Sequence, residues 1–159
     1  MKILIATDGS VFSDAAIEKI CQILKTAEKT EVKIVSAYEQ PIMAVAAPYS
    51  LSGGYNPVLE TEMKGLATHA LLQAEEKIRE RLPALKENLT TRVLCGSPAQ
   101  AVVDEAEDWG ADLIVVGSHG RGFWERTFIG SVSGSILNHA HCSVLVVKKD
   151  RENNGQSSK

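Results

Sequence analysis

The sequence is short of what several function classes require. Aromatic residues make up 5% of its 159 residues, and three cysteines, Cys21, Cys95 and Cys142, stand far apart without a CxxC pair. An odd, dispersed set makes no disulfide framework and reads as reduced thiols in a cytosol. The chain goes from Met1-Lys2 into a short apolar run ending at Thr7-Asp8, below the roughly 7–15 apolar residues of a secretory leader. No run nears the roughly 20 residues of a membrane helix, so a cytoplasmic protein without a membrane span is expected. Neither sign of charge dominates: 17 basic against 20 acidic residues give −3. That balance argues against nucleic acid as the main partner. A Walker A G-x4-G-K-[S/T] is absent, as are an SGGxDS loop and a HIGH element.

What is present describes one domain. Apolar residues make up 44% and charged residues 23%, ordinary values for a globular protein. Four short runs, Lys2–Thr7, Val32–Ala37, Asp112–Val116 and Ser143–Val147, are rich in Ile and Val, with a weaker fifth at Thr91–Cys95. Such runs suit strands covered on both faces. Between them, apolar residues recur at helical spacing. The first set is Ala16, Ile20, Ile23 and Ala27; the second is Met63, Ala67, Ala70, Ala74 and Ile78. The third holds Val102, Val103, Ala106 and Trp109, behind a Ser97-Pro98 that reads as N-cap and first-turn proline. The fourth starts near Gly130-Ser131 and runs through Val132, Ile136 and Leu137. Alternating strands and helices predict an α/β fold, a doubly wound parallel sheet with right-handed crossovers. The domain spans 1–149. Tyr38–Pro57 is one long irregular stretch, either a functional flap or a mobile segment. The polar 150–159 reads as a disordered tail. Open parallel sheets bind ligands beyond the carboxyl ends of their strands, where strand order reverses. That directs attention to Thr7-Asp8, Ala37-Tyr38 and Val116-Gly117.

After the fourth strand the chain reads Gly117-Ser118-His119-Gly120-Arg121-Gly122, and later Gly130-Ser131-Val132-Ser133. Glycines let backbone N–H groups approach an anion and adopt φ > 0 turns, and such a turn makes an anion-binding nest. Gly130-Ser131 opens a helix whose free N–H groups and dipole also favour phosphate. Ser131 and Ser133 add hydroxyl donors, and Arg121 a mobile positive charge. Two donor sets separated by an insert would grip a polyphosphate from both sides.

At these residues the chain resembles the universal stress proteins. The nucleotide-binding branch of that family carries G-x2-G-x9-G-[S/T], and Gly117, Gly120, Gly130 and Ser131 fit the spacing. The resemblance runs from Thr7-Asp8-Gly9-Ser10 to Val144-Leu145-Val146-Val147, through Gly96-Ser97-Pro98 and Ala111–Val115. Ser143 stands where the family usually has a proline, a change confined to a turn. The resemblance implies a five-stranded parallel sheet of order 3-2-1-4-5 with ATP, or ADP or AMP, at the switch point. It implies that Asp8 accepts from the ribose hydroxyls and that the backbone of Ala6 and Ala37 flanks the adenine. Val116, Gly117, His119 and Gly120 would line the α- and β-phosphates. Gly130, Ser131, Val132 and Ser133 would hold the terminal ones, with magnesium as counter-ion.

Other candidates have plainer readings. His139-Ala140-His141-Cys142 lacks the four ligands of a structural zinc and reads as a helix-to-strand turn. Asp14, Glu18 and Asp104 read as solvated helix charges, and Glu75 to Arg81 as an exposed face with i,i+4 pairs. Phe123 and Trp124 either pack under the glycine loop or present a partner surface. A phosphoacceptor receiver would want an aspartate where Cys95 ends the third strand. With no nucleophile–base pair near the glycines, the expected function is an ATP-binding stress-response regulator read by a protein partner, not an enzyme. The alternatives are an ATP-using enzyme, by slow hydrolysis or by adenylyl or phosphoryl transfer, and a nucleotide-independent signalling module. Val144–Val147 forms an apolar sheet edge without guarding Lys or Pro, which predicts a homodimer through that strand.

Overall fold

In the computed structural model, residues 1–24, 29–40, 42–43, 54–120 and 129–149 are described. The apolar runs form strands because their Ile and Val side chains alternate between two covered faces. β1 (Lys2–Ala6) lies between β2 (Glu31–Tyr38) and β6 (Leu113–Gly117); β5 (Leu89–Cys95) and β7 (Ser143–Val147) form the edges. All main-sheet pairings are parallel, with Ile3 opposite both Val32 and Leu113. In order of appearance this five-stranded sheet is 3-2-1-4-5, the doubly wound arrangement expected. A separate two-stranded pair, β3 (Ile42–Met43) and β4 (Gly54–Tyr55), lies within the stretch read as irregular.

Helices α1 (Val11–Ile23) and α2 (Pro57–Arg81) cover one face; α3 (Pro98–Trp109) and α4 (Ser131–His139) cover the other. Ile3, Ile5, Ile34 and Val115 point to the first face and pack with Ile17 and Ile78. Leu4, Val35, Ile114 and Val116 point to the second, against Val102, Ala106 and Ile136. Each fully buried aliphatic chain of this kind contributes about 1.5–3 kcal/mol. Because α1 follows β1 and α4 follows β6 on opposite faces, a crevice opens between the carboxyl ends of these neighbouring strands.

Local chemistry fixes the element ends. Ser10 caps α1 by accepting from Ser13 N at 3.2 Å, and Asn56 caps α2 by accepting from Val58 N and Leu59 N. α3 ends at Gly110, whose φ of 69° is the left-handed C-cap conformation. Ser97 occupies the N-cap position of α3, but its side chain caps nothing; Pro98 at the first position already removes one orphan donor. β5 starts at Leu89, two residues before the recognised run, after a 3-10 turn over Pro83–Asn88 that buries Leu85. α1 ends at Ile23, and Ala27 lies outside the described residues. Among the described residues, no helix is long and apolar enough to cross a membrane.

Two charged groups differ from their solvated reading. Asp14 pairs with Lys77 at 2.7 Å and Glu18 with Arg81 at 3.6 Å, joining α1 to α2. These pairs are partly exposed, so each contributes about 0–1 kcal/mol. The i,i+4 reading holds for Glu75 and Arg79.

Candidate functional site

The exit of β1 is a closed hydrogen-bond relay. Gly9 N donates to Thr7 Oγ1, Thr7 Oγ1 to Ser13 Oγ at 3.1 Å, and Ser13 Oγ to the carbonyl of Ser10 at 3.0 Å. Gly9 has φ 72°, which lets the chain reverse here. Asp8 sits at the bend, its Oδ1 accepting from Ser10 N at 3.0 Å. The relay thus presents a carboxylate at the crevice mouth in one orientation.

The exit of β6 is built by close approach. A Cβ on Gly117 would lie 2.6 Å from the carbonyl carbon of Phe12, so only glycine lets β6 meet the start of α1. A Cβ on Gly120 would stand 3.0 Å from Asp8 Oδ2, and one on Gly130 3.1 Å from Ser118 O. The positive-φ glycines among the described residues are Gly9, Gly96 and Gly110. Proximity, not a φ > 0 turn, is therefore what requires glycine at 117, and a side chain at 120 or 130 would be crowded. Gly130 N donates to Ser118 O at 2.7 Å, which draws the start of α4 onto the end of β6.

Gly130 is also the N-cap of α4 and carries no capping side chain. Among the described residues, no side chain caps the first N–H groups of this helix, at Ser131 to Ser133, and an uncapped helix start favours anions. The Ser133 hydroxyl corrects one expectation: it is buried and donates towards Ser118 O at 3.0 Å and Gly130 O at 3.1 Å. It has one hydrogen, so it braces the loop and leaves only the Ser133 amide for an anion. His119 Nδ1 lies 3.0 Å from Ser118 Oγ, and its ring packs 5.2 Å from that of Phe12. Its Nε2 is a buried polar atom without a hydrogen-bond partner.

Between these turns lies a cavity of about 340 Å³. It brings together the residues that the resemblance implied for the nucleotide: Ala6, Asp8, Ala37, Val116, Gly117, His119, Gly120 and Gly130 to Ser133. Arg121, Gly122, Phe123 and Trp124 lie outside the described residues. Thr7, to which the strand end directed attention, lines it as well, and sequence reasoning missed Ser13, Val35, Pro98 and Val102. Pro98 and Val102 stand one turn apart on α3, so the helix period already put them on one face. Its relation to the switch point depends on the crossover.

That wall is pinned from its other end. Glu105, 5% exposed, receives Lys33 Nζ from β2 at 2.9 Å and Arg92 Nη1 from β5 at 2.5 Å. Lys33 Nζ also lies 4.5 Å from the centre of the Trp109 ring. Asp104, its neighbour, stays exposed and accepts from Gln100 at 2.7 Å. Beyond the cavity rim, Tyr38 donates to Glu60 Oε1 at 3.2 Å. A hydrogen bond with Cys95, burial and Glu60 push its phenol up to about 12, so it stays protonated. Burial raises the thiols of Cys21 and Cys142. His139, His141 and Cys142 lie at the passage from α4 to β7.

The profile of the universal stress protein family matches residues 1–148. The chain belongs to the universal stress protein family. It is 30% identical over 154 residues to universal stress protein MJ0531 of Methanocaldococcus jannaschii, covering 95% of this chain and 84% of that protein. Among solved structures it superposes on a universal stress protein family protein of Arabidopsis thaliana with AMP bound. The TM-score is 0.65 at 18% identity, covering 99% of this chain and 97% of the other. A universal stress protein in complex with cAMP superposes with TM-score 0.63 at 24% identity, covering 92% and 96%. At these identities the likeness establishes the shared fold.

Proposed function

We propose that this universal stress protein binds ATP, or ADP or AMP, in the cavity between β1 and β6 and that a protein partner reads its occupancy. One observation carries the reading. The uncapped start of α4 and the glycine-packed end of β6 border the same cavity as the Asp8 carboxylate and an apolar wall. Those are the needs of phosphate, ribose and base respectively. The volume of about 340 Å³ is in the usual range of small-molecule sites. Proteins of the same fold solved with AMP and with cAMP support the assignment.

In this reading the adenine lies against Ala6 and Ala37, with Pro98 and Val102 closing the wall, and Val116 stands with Gly117, His119 and Gly120 beside the α- and β-phosphates. Asp8 accepts from the ribose hydroxyls. The backbone from Gly117 to Gly120 and the amides of Ser131, Val132 and Ser133 hold the phosphates. The orphaned His119 Nε2 gains a partner when an anion arrives. Magnesium enters as the counter-ion of the triphosphate, lowering its negative charge. Among the described residues, no group of three His, Cys, Asp or Glu could hold an ion unaided.

Binding, not turnover, is the activity. Among the described residues, the hydroxyl that meets His119 Nδ1 is that of Ser118, which does not line the cavity, so no lining hydroxyl has a base beside it. Phosphate release is expected far below one per second, against about 1–1,000 per second for typical enzymes. A rate in that range, lost in His119→Ala, would make the protein an ATP-using enzyme instead.

The reading includes a cytoplasmic homodimer through β7. Val144, Leu145 and Val146 are only partly buried, and an open depression of about 620 Å³ runs between this strand and α1. The opposite edge, β5, carries exposed Thr90, Thr91 and Arg92, which discourage pairing. Light scattering should give a dimer, and Val146→Pro a monomer; a wild-type monomer at tens of micromolar excludes this interface. Calorimetric titration with ATP and magnesium tests the central claim. Absence of heat up to millimolar nucleotide defeats it, and mass spectrometry of nucleotide released from the purified protein identifies the species carried.

A further inference from the structure

We infer that the outer face of α2 is a docking surface for a basic amphipathic helix of a partner protein. The inference is independent of nucleotide binding. α2 packs with its small side chains inward: Ala67, Ala70 and Ala74 are buried with Leu71 and Ile78. Its other large aliphatics point to water, with Val58 66%, Leu66 55% and Leu72 59% exposed. A surface helix normally does the reverse. Nothing within the fold gains from leucine outside and alanine inside.

The outer residues are ordered. At about 100° per residue, Val58, Gly65 and Leu72 form one row and Leu59 and Leu66 another. Both rows repeat every seven residues, the spacing by which one helix meets another. Gly65 is the second observation. It lies mid-helix, where glycine is unfavourable, and a Cβ there would meet nothing within 4 Å. The interior therefore does not require it. Between Val58 and Leu72 it leaves a notch into which a partner side chain fits.

Charge names the occupant. Glu62, Glu76 and Glu80 run between the two apolar rows, with His69 among them, and all four are exposed. Among the described residues none of the three carboxylates is ion-paired, whereas Lys77, Arg79 and Arg81 are engaged by Asp14, Glu75 and Glu18. The stripe is acidic along its centre and apolar on both sides. A second copy would oppose carboxylate to carboxylate, and an anionic lipid surface would be repelled. A helix with Lys or Arg along its midline and apolar side chains beside it complements the face.

The test uses the full chain and a dye-labelled helical peptide of Leu and Lys, with a Leu and Glu counterpart. Fluorescence anisotropy should show saturable binding of the Lys peptide, at least tenfold tighter than the Glu peptide. The double variant Leu66→Ser/Leu72→Ser, whose circular dichroism should be unchanged because both side chains are exposed, should lose at least tenfold. Gly65→Leu should lose as much by filling the notch. Glu62→Lys/Glu76→Lys should reverse the peptide preference. Equal binding by wild type and the serine variant, or no saturable binding, overturns the proposal. So does a change of oligomeric size in the serine variant, which would assign the face to a second copy. Capture of phosphatidylglycerol vesicles that the same substitutions abolish would assign it to a membrane.

Discussion

Two strand-to-helix turns face each other across the cavity, and they are built on opposite principles. The turn from β1 to α1 uses its own polar groups on itself: Thr7, Ser10 and Ser13 form a relay, and Ser10 caps the helix. In the turn from β6 to α4, the described ends at Gly117, Gly120 and Gly130 border the cavity with backbone, and no side chain caps the helix that begins after Gly130. The first spends its donors internally and presents a fixed acceptor, Asp8. The second leaves the start of α4 without a capping side chain, as the proposed phosphate site requires. Saturation positions a group, whereas incompleteness makes a site.

The strongest way to break the contrast is to separate the turns. Gly117→Val forces a side chain into backbone that already stands 2.6 Å from a Cβ. It should destabilise the fold by about 3 kcal/mol, read in urea denaturation, and abolish nucleotide binding. Ser13→Ala attacks the saturated turn alone. It leaves the buried Thr7 hydroxyl without its acceptor, at a cost of about 2 kcal/mol in the same assay.

Giving the open turn what the closed one has should convert it. Gly130→Asp supplies a capping carboxylate to α4 and repels phosphate, so ATP affinity should fall at least tenfold by calorimetry. Crowding against Ser118 O at 3.1 Å offsets the gain of a cap, leaving stability within about 1 kcal/mol. Retained ATP affinity would show that the α4 start is not the phosphate site. Asp8→Asn is the mildest change. The amide oxygen still accepts from Ser10 N, so stability should move by less than about 1 kcal/mol. ATP should weaken by several fold and 2′-deoxy-ATP by less, the difference reporting the ribose contact.

Much of this was legible because it depends on local pattern. Alternating Ile and Val fixed the strands, and the spacing of Gly117, Gly120 and Gly130 singled out the open turn. The reason for those glycines was not legible. It lies in groups distant in sequence: the Phe12 backbone demands glycine at 117, and Asp8 and Ser118 crowd any side chain at 120 and 130. Ser133 was assigned as a hydroxyl donor because nothing local shows that a carbonyl fifteen residues earlier takes its hydrogen. Glu105 carried no signal in the sequence, since its partners Lys33 and Arg92 come from two other elements.

The sequence by itself determined the alternation of elements, the parallel sheet with its switch point, and the family to which the chain belongs. These follow from periodicities of two and 3.6 and from glycine spacing, which act over a few neighbouring residues. Tertiary structure decided the rest. It set Pro98 and Val102 against the strand ends as the wall of the cavity, buried Glu105 beneath it, and turned Leu59, Leu66 and Leu72 of α2 outward while burying Leu71. A helix period says which residues share a face, but only the crossover and the packing distance decide which face meets the sheet and which meets water.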